Sequence, residues 1–428
     1  MSLVHTLRAE PHFRRLWYGH ALSLIGTMVT DLALPLTAAV YLAASPVQMG
    51  ILGAMDGLPW LFGGLVVGAL VDRWPRRRVM LTTDLLRAAI ILVVPLLAWL
   101  GGLNFWVLAL VSICMATGLM FYDTASNAVM PSLVRPTSLM DANAAIRLNM
   151  SVGWMVGPGI GGWLVAVLSA PFALIVDGLS YLWSALCIWR IPEPPREVEP
   201  REKTSIWADI KEGGRTVAQN PVLRAVVGGT ALLTLANGMF VAVYILFLTR
   251  DLGVQPWAVA LPYMAMGVSA VVGSLTVSRI TKRFGLGPAM IGAGFLNVLA
   301  TVAIPLTPAG AQWILLWVLL PWLISGFVTA IFSSAMSTVM QTSAPSRLLG
   351  RVSATMSVLS WSCLPLGSLI GGVLGAAIGL RATLFVTIAG YAAAPVLLLL
   401  SPARRAREAT TAEDDQDDQA QPAGVGAE

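Results

Sequence analysis

The chain reads as a succession of long apolar runs separated by short polar or Gly/Pro-rich breaks. A helix needs about 20 apolar residues to cross the hydrocarbon core of a bilayer, and twelve runs reach that length. In the first half they fall at about 16–43, 48–71, 78–101, 105–130, 142–168 and 171–190. In the second half they fall at about 222–249, 257–278, 287–307, 312–340, 350–378 and 381–400. Arg8, Arg14 and Arg15 ahead of the first run resemble the charged start of a signal peptide. The run that follows is too long for the 7–15 apolar residues of such a peptide, so the segment is expected to stay. The expected fold class is an all-α membrane protein with twelve transmembrane helices.

Composition supports this reading. Of 428 residues, 57% are hydrophobic and 40 are Gly, while 11% are charged. Soluble proteins carry about 25% charged residues, and a water-soluble fold of this size cannot cover its surface with so few. Mean hydropathy is +0.76. A soluble enzyme, a secreted disulfide scaffold and a disordered chain are excluded, and lipid leaves helices as the fitting element because every backbone group must be paired internally. Cys114, Cys187 and Cys363 lie in apolar runs without metal-ligand or disulfide spacing, which makes them small hydrophobes.

A net charge of +5 and a pI near 9.4 first suggest nucleic acid. In a membrane protein, however, Lys and Arg mark cytoplasmic loops. Arg87 and Arg147 fall inside spans, and Arg250 and Arg381 at the opposite-side ends. The remaining basic residues lie in the N-terminus, the 2–3, 4–5, 6–7, 8–9 and 10–11 connections and the C-terminal tail, which predicts both termini in the cytoplasm of a multi-pass inner (plasma) membrane protein. Residues 1–190 form one expected six-helix bundle and 222–400 the other. The linker between them, 191–221, carries Pro192, Pro194 and Pro195, then Ile206, Trp207, Ile210 and Val217 among charges; this pattern predicts an amphipathic helix on the membrane surface. The tail, 401–428, runs from basic to acidic and is expected to be disordered.

The halves echo one another at an offset of 210 residues. Gly157, Gly161 and Gly162 align with Gly367, Gly371 and Gly372, Val129-Met130 with Val339-Met340, and Asp141 with Arg351. Two six-span halves in the same orientation are parallel repeats about an axis along the membrane normal, the organisation of transporters that rock around a midplane site.

Two motifs carry a family resemblance. The 2–3 connection, Gly68-Ala69-Leu70-Val71-Asp72-Arg73-Trp74-Pro75-Arg76-Arg77-Arg78, resembles the 2–3 loop signature of the major facilitator superfamily, with Pro75 where the family has glycine. The fifth span, Gly153 through Gly157-Pro158 to Gly161-Gly162, resembles the G-x-x-x-G-P-x-x-G-G motif of its proton-coupled exporters. It also satisfies G-x-G-x-x-G, but no strand precedes it, as a dinucleotide fingerprint requires. Further stretches (His20 to Pro35, Ala128 to Pro131, Asp141 to Asn143, Leu349 to Val352, Gly379 to Ala382) resemble the drug exporter branch that includes Tap-like multidrug pumps, macrolide efflux proteins and enterobactin exporters. That branch often places an acid directly after the glycine that is Gly26 here; this chain has Thr27 there and Asp31 one turn on. The resemblance implies a conformational latch in the 2–3 loop (Gly68, Asp72, Arg73, Arg76, Arg77). Asp72 is expected to meet Arg351 at the start of the eleventh helix, where the helix dipole favours an anion. By repeat symmetry, Arg279 or Lys282 is expected to meet Asp141.

Ionisable residues inside spans cost about 2.5–3.5 kcal/mol each on insertion scales and are functional candidates by default. Asp31, Asp56 and Asp123 are the proton-coupling candidates, with Arg147 as the counter-ion of Asp123 or Asp31 and, alternatively, a residue snorkelling at the helix end. Asp84 and Arg87, three apart, are expected to satisfy each other, and Asp177 to bond a neighbouring helix. The second half has no acid within a span. Thr27, Asn127, Asn143, Trp154, Asn237, Tyr244 and Thr329 are the candidate substrate-cavity residues; hydroxyls on the seventh and tenth spans serve equally as interhelical glue. Met, Trp and hydroxyl walls suit hydrophobic, drug-like molecules.

The expected function is proton-coupled export of hydrophobic small molecules by alternating access, as a monomer in the lipid bilayer, with protons and the small molecule as partners. A dedicated exporter of one metabolite, such as a siderophore or self-made antibiotic, is the nearest alternative, and a non-transporting membrane sensor is the alternative of another class. No cofactor, metal or nucleic-acid partner is expected. No enzyme activity is expected either, since His5, His12 and His20 cluster at one end without a nucleophile–base arrangement, and no ATP-binding motif occurs.

Overall fold

The computed structural model describes residues 3–71, 73–193, 214–310, 313–343 and 349–405. Among these, twelve long helices follow a short leading helix, Leu3–Ala9, and there is no strand. The first six are α1 (Pro11–Leu36), α2 (Pro46–Val71), α3 (Arg76–Trp99), α4 (Phe105–Val129), α5 (Leu139–Leu168) and α6 (Ala170–Trp189). The second six are α7 (Pro221–Leu246), α8 (Ala260–Phe284), α9 (Leu286–Leu306), α10 (Ile314–Ser343), α11 (Leu349–Ala377) and α12 (Leu380–Leu400). They match the twelve expected spans, with ends shifted by a few residues. The linker around Ile206, Trp207 and Ile210, the tail beyond 405, Asp72 and the side chain of Arg351 lie outside the described residues.

Local sequence sets the helix ends. The side chains of Asn104 and Asn220 accept hydrogen bonds from the first free N–H groups of α4 and α7, which is the work of an N-cap. Proline sits in the first turn of α1, α6 and α7, where its missing N–H costs nothing. Internal prolines such as Pro95 and Pro305 are tolerated as membrane helices tolerate them and stand at equivalent positions of the two halves.

The 210-residue offset extends from letters to geometry. Helix starts pair as Pro11 with Pro221, Arg76 with Leu286, Leu139 with Leu349 and Ala170 with Leu380. Both α1 and α7 run on into a π-helical turn, Thr37–Tyr41 and Phe247–Asp251. Backbone turns with positive φ recur at Ala43 and Gly253, and at Ser169 and Gly379.

Each half packs internally in the same way. α1 lies on α5 and α6, α2 on α4, and α3 on α4 and α6; in the second half α7 lies on α11 and α12, α8 on α10, and α9 on α10 and α12. Between the halves, α2 meets α11 and α5 meets α8. Glycine decides how closely these helices approach. A Cβ on Gly153 or Gly161 would meet Leu24 or Leu32 of α1 at 2.9 and 3.3 Å, and one on Gly157 would meet Met28. The equivalent Gly367 and Gly371 face the backbone of Leu235 and Met239 on α7. The other face of α5 crosses the boundary between halves, with Gly159 against Met264 and Gly162 against Ala260 and the Trp257 carbonyl. Its repeat counterpart Gly372 crosses too, against Gly50 and the Pro46 carbonyl.

These crossing contacts lie toward the end of the molecule that holds the α1–α2 and α7–α8 turns. Arg250 reinforces them there, donating from Nη2 to the Ala44 carbonyl at 2.6 Å and the Ala39 carbonyl at 3.3 Å. It thereby pairs backbone oxygens that the π turn of the other half leaves open. The halves are closed at this end. At the opposite end Gly68 has nothing within 4 Å of where its Cβ would stand, and Arg279 and Lys282 make no ion pair among the described residues.

Backbone geometry makes the repeat testable. Ser169 at φ 67° and Ala43 at φ 51° occupy conformations that their repeat counterparts fill with glycine. Ser169→Gly and Ala43→Gly should each raise the thermal unfolding midpoint of the detergent-solubilised protein, by strain relief of about 1 kcal/mol, whereas Gly379→Ala and Gly253→Ala should lower it. Glycine contacts divide similarly. Gly367→Ala, which meets rigid backbone, should destabilise markedly, while Gly159→Ala, which meets only the flexible end of Met264, should change the midpoint little.

Candidate functional site

The first half encloses a polar cluster built on Arg87 of α3. Arg87 is 3% exposed, and Asp84 and Asp177 are fully buried. The Arg87 guanidinium lies over the Tyr181 ring of α6, 4.1 Å from its centroid, and Nη2 donates to the Tyr181 hydroxyl. Tyr181 in turn shares a 3.0 Å hydrogen bond with the hydroxyl of Thr27 on α1. Asp177 of α6 accepts from Thr30 of α1 and, at 3.1 Å, from Ser180. α1 can come this close to α6 because Gly26 leaves the room: a Cβ there would overlap Ser180 and Asp177.

Four carboxylates lie within electrostatic reach of Arg87: Asp31, Asp84, Asp123 and Asp177. A fifth, Asp56 of α2, lies within reach of Asp31. Asp31 and Asp56 are exposed although their neighbours along each helix are largely buried. Tyr263 of α8, in the other half, is also within reach of Asp31, so this carboxylate faces the cleft between the halves.

The structure revises the sequence reading at several residues. Asp84 and Arg87 do not satisfy each other: neither oxygen of Asp84 has a hydrogen-bond partner, and Arg87 is turned to Tyr181. Arg147 is not a counter-ion, because its side chain is exposed and makes no ion pair among the described residues; Arg87, deeper in the bundle, holds that position. Of the 2–3 loop arginines, Arg76 donates to the Ala128 carbonyl at 2.8 Å and Arg77 to the carbonyls of Ile188 and Trp189. Both therefore cap the C-terminal ends of α4 and α6 in their own half, where cations are favoured. Arg73 is exposed. Asp141 accepts from Thr6 at 3.4 Å and is not brought to Arg279.

The second half holds a cavity of about 360 Å³ between α7, α8, α9, α10 and α12. Asn237 and Thr329 of the sequence-predicted set line it, and both are exposed at its mouth. Phe240, Asn297, Trp322 and Tyr391 line it as well. Tyr244 does not. It is 1% exposed and sits behind the wall, stacked on Phe240 with ring centroids 4.6 Å apart. Thr27, Asn127, Asn143 and Trp154 belong to the first half and are not part of this cavity; Asn143 is turned back onto the Leu139 carbonyl. Asn297 escaped the sequence reading although a lone amide in the apolar run of α9 is a visible signal.

A twelve-helix repeat with two crossing helix pairs and a midplane cavity is the frame of a known transporter family, and the family model for the Major Facilitator Superfamily matches residues 16–364. The chain belongs to the major facilitator superfamily. Among curated relatives it is 29% identical over 357 residues to the multidrug efflux pump Tap of Mycolicibacterium fortuitum, covering 79% of this chain and 83% of that protein. It is 28% identical over 220 residues to macrolide efflux protein A of Streptococcus pyogenes, covering 50% of this chain and 53% of that one. Solved major facilitator structures share the fold at low identity. A point mutant of the nucleoside transporter NupG superposes with a TM-score of 0.75 at 12% identity, covering 91% of this chain and 98% of its own. A bacterial homologue of the iron transporter ferroportin superposes with 0.74 at 17% identity, also covering 91% and 98%. The protein is thus a multi-pass membrane protein of this superfamily.

Arg87 is the single cation of the buried cluster. Arg87→Met should lower stability by about 3–5 kcal/mol, the usual cost of leaving buried partners uncompensated. Asp84→Asn should cost less than Arg87→Met, because Arg87 keeps Asp177 and Tyr181 as partners when Asp84 is neutral. Unfolding of the purified variants in detergent, followed by tryptophan fluorescence, checks both.

Proposed function

We propose that this chain is a proton-coupled exporter of hydrophobic small molecules, drugs or antibiotics among them, working by alternating access. The observation that carries the proposal is the imbalance of the first half, where one arginine stands among five carboxylates. A low-dielectric interior does not hold such an excess of negative charge, so the balance is closed with protons. Asp31 and Asp56 face the cleft, and protons held there exchange with whichever side the cleft opens to. The efflux pumps among the relatives, one similar over 79% of this chain and one over 50%, support the direction of transport and the substrate class. The basic residues of the even-to-odd connections support an inner-membrane protein with both termini in the cytoplasm.

In this reading the closed end, held by Gly159, Gly162, Gly372 and Arg250, faces outward, and the conformation is open toward the cytoplasm. The opposite state closes the cytoplasmic end through the double latch, Asp72 with Arg351 and Asp141 with Arg279 or Lys282.

The test is ethidium transport in everted membrane vesicles, with and without a protonophore. Wild-type vesicles should move the dye only while the proton gradient stands, and Asp31→Asn should cut this by at least about tenfold. Dye movement indifferent to the protonophore would overturn proton coupling. Uncoupler-sensitive movement that survives Asp31→Asn would transfer the proton site to Asp56 or Asp123.

A further inference from the structure

Three helices of the first half meet around one set of arginines. α6 ends at Trp189, and the carbonyls at its end are met from two neighbouring helices. Arg77, in the first turn of α3, donates to the carbonyls of Ile188 and Trp189. Arg15 of α1 donates from Nη1 to the Arg190 carbonyl. Arg15 is brought there because Gly19, one turn further along α1, lies against Cys187 and Ser184 of α6. Cys187 is within electrostatic reach of both Arg15 and Arg190. Arg78 stands at the same end, 3.8 Å from Glu193. Four arginines therefore gather at one helix end. Among the described residues Arg15, Arg77 and Arg190 make no ion pair. The helix end itself offers only about half a unit of negative charge, so the group keeps a positive excess.

The fold does not require these cations. At the 210-residue offset Arg15 becomes Ala225, Arg77 becomes Gly287, Arg78 becomes Pro288 and Arg190 becomes Leu400. In the second half a 3-10 turn, Pro402–Arg405, packs over the ends of α7, α9 and α12 instead. Arg404 and Arg405 belong to that turn and lie beyond the equivalent positions.

The arginines also lie at a particular depth. Ile175, Leu179, Leu182, Leu186 and Trp189 of α6 are exposed, and their alternating spacing of four and three places them on one face. That apolar face turns to lipid. It ends at Trp189, 62% exposed, and a tryptophan at the end of a spanning helix marks the headgroup level. Arg190 follows directly and is exposed. A guanidinium has five N–H donors. Arg15 uses one of them on a carbonyl and Arg77 two, which leaves donors in the fork geometry that suits a phosphate.

We infer that the end of α6 binds one anionic phospholipid. Its phosphate is held by Arg15 and Arg190, with Arg77 behind them, and an acyl chain lies along Leu182, Leu186 and Trp189. A zwitterionic headgroup is disfavoured because its ammonium would meet the same arginines. The site depends on insertion in a membrane and is independent of the export reading.

The experiment counts lipids bound to the purified full-length protein by native mass spectrometry from a neutral detergent. The probes are dioleoylphosphatidylglycerol and dioleoylphosphatidylcholine, which share their acyl chains and differ in headgroup charge. One phosphatidylglycerol per chain is expected, bound at least about tenfold more tightly than phosphatidylcholine. Arg190→Gln should weaken it by about fivefold, and Arg190→Gln combined with Arg15→Gln by about twentyfold. Arg224→Gln, which removes an exposed arginine in the first turn of α7, should leave it unchanged. If the variant carrying Arg15→Gln does not fold, Arg190→Gln combined with Arg78→Gln serves in its place, and its binding should fall by about tenfold. Absence of bound phosphatidylglycerol, the result expected if Glu197 and Glu199 of the linker take these arginines, would overturn the proposal. Equal binding of the two lipids, or undiminished binding by the double variant, would do the same. So would an equal loss in Arg224→Gln, which would show diffuse attraction by a basic surface. Displacement by glycerol phosphate at the concentration of the lipid would also overturn it, because the acyl chain would then contribute nothing.

Discussion

Close approach of helix backbones at glycine is the constraint on which the rest of this molecule depends. Between helices in lipid there is no hydrophobic driving force, and association rests on contact between small residues and on hydrogen bonds. α5 meets that requirement twice. One stripe of glycines, spaced four apart, seats it on α1 and makes it part of the first bundle. Two further glycines on its other face seat it on α8 and make it part of the boundary between bundles. α11 repeats the arrangement against α7 and α2. The helices that carry the boundary are therefore also packed into their own halves, and each half can turn as a body without losing its internal packing.

The halves share a scaffold and differ in chemistry. Equivalent tyrosines, at the same place on α6 and α12, each bond the first helix of their half. Around one of them stand an arginine and five acids, around the other amides, hydroxyls and aromatic rings. Segregating the two sets has an electrostatic consequence. Charge in a low-dielectric interior acts over many ångströms, and a neutral cargo beside the acids would have to compete with protons and water for the same groups. The uncharged cavity stands in the opposite half, at the equivalent position of the repeat.

Twelve spans, the repeat and its offset were legible in the sequence because they are written in long-range hydrophobic contrast and in small-residue spacing. Both are properties of the backbone path and survive without knowledge of partners. The polar cluster was legible only in its members. Pairing by spacing along one helix assigned Arg87 to Asp84, whereas the guanidinium reaches across to α6, where a tyrosine face and hydroxyl satisfy it. Tyr244 lies on the helix side expected of a cavity residue but one stretch too far along α7, where the chain is sealed by its neighbours. The arginines of the 2–3 loop match a motif whose letters do not distinguish a latch from a helix cap; in this structure Arg76 and Arg77 meet the carbonyls at the ends of α4 and α6.

The route from the carboxylates to the boundary is short. Asp31 is carried by α1, α1 is locked to α5 through Gly153, Gly157 and Gly161, and α5 reaches α8 through Gly159 and Gly162. At each step a glycine backbone lies against a neighbour: the side chains of Leu24, Met28 and Leu32 on α1, and Met264, Ala260 and the Trp257 carbonyl across the boundary. A packed contact of this kind is bistable rather than gradually deformable, so a change of charge on Asp31 that shifts α1 by a fraction of an ångström must be absorbed by α5. Two of the contacts through which α5 absorbs it are its seat on α1, which moves with it, and its contact with α8. The second is the one that alternating access has to break, and in this fold it lies one helix away from the cleft-facing acid.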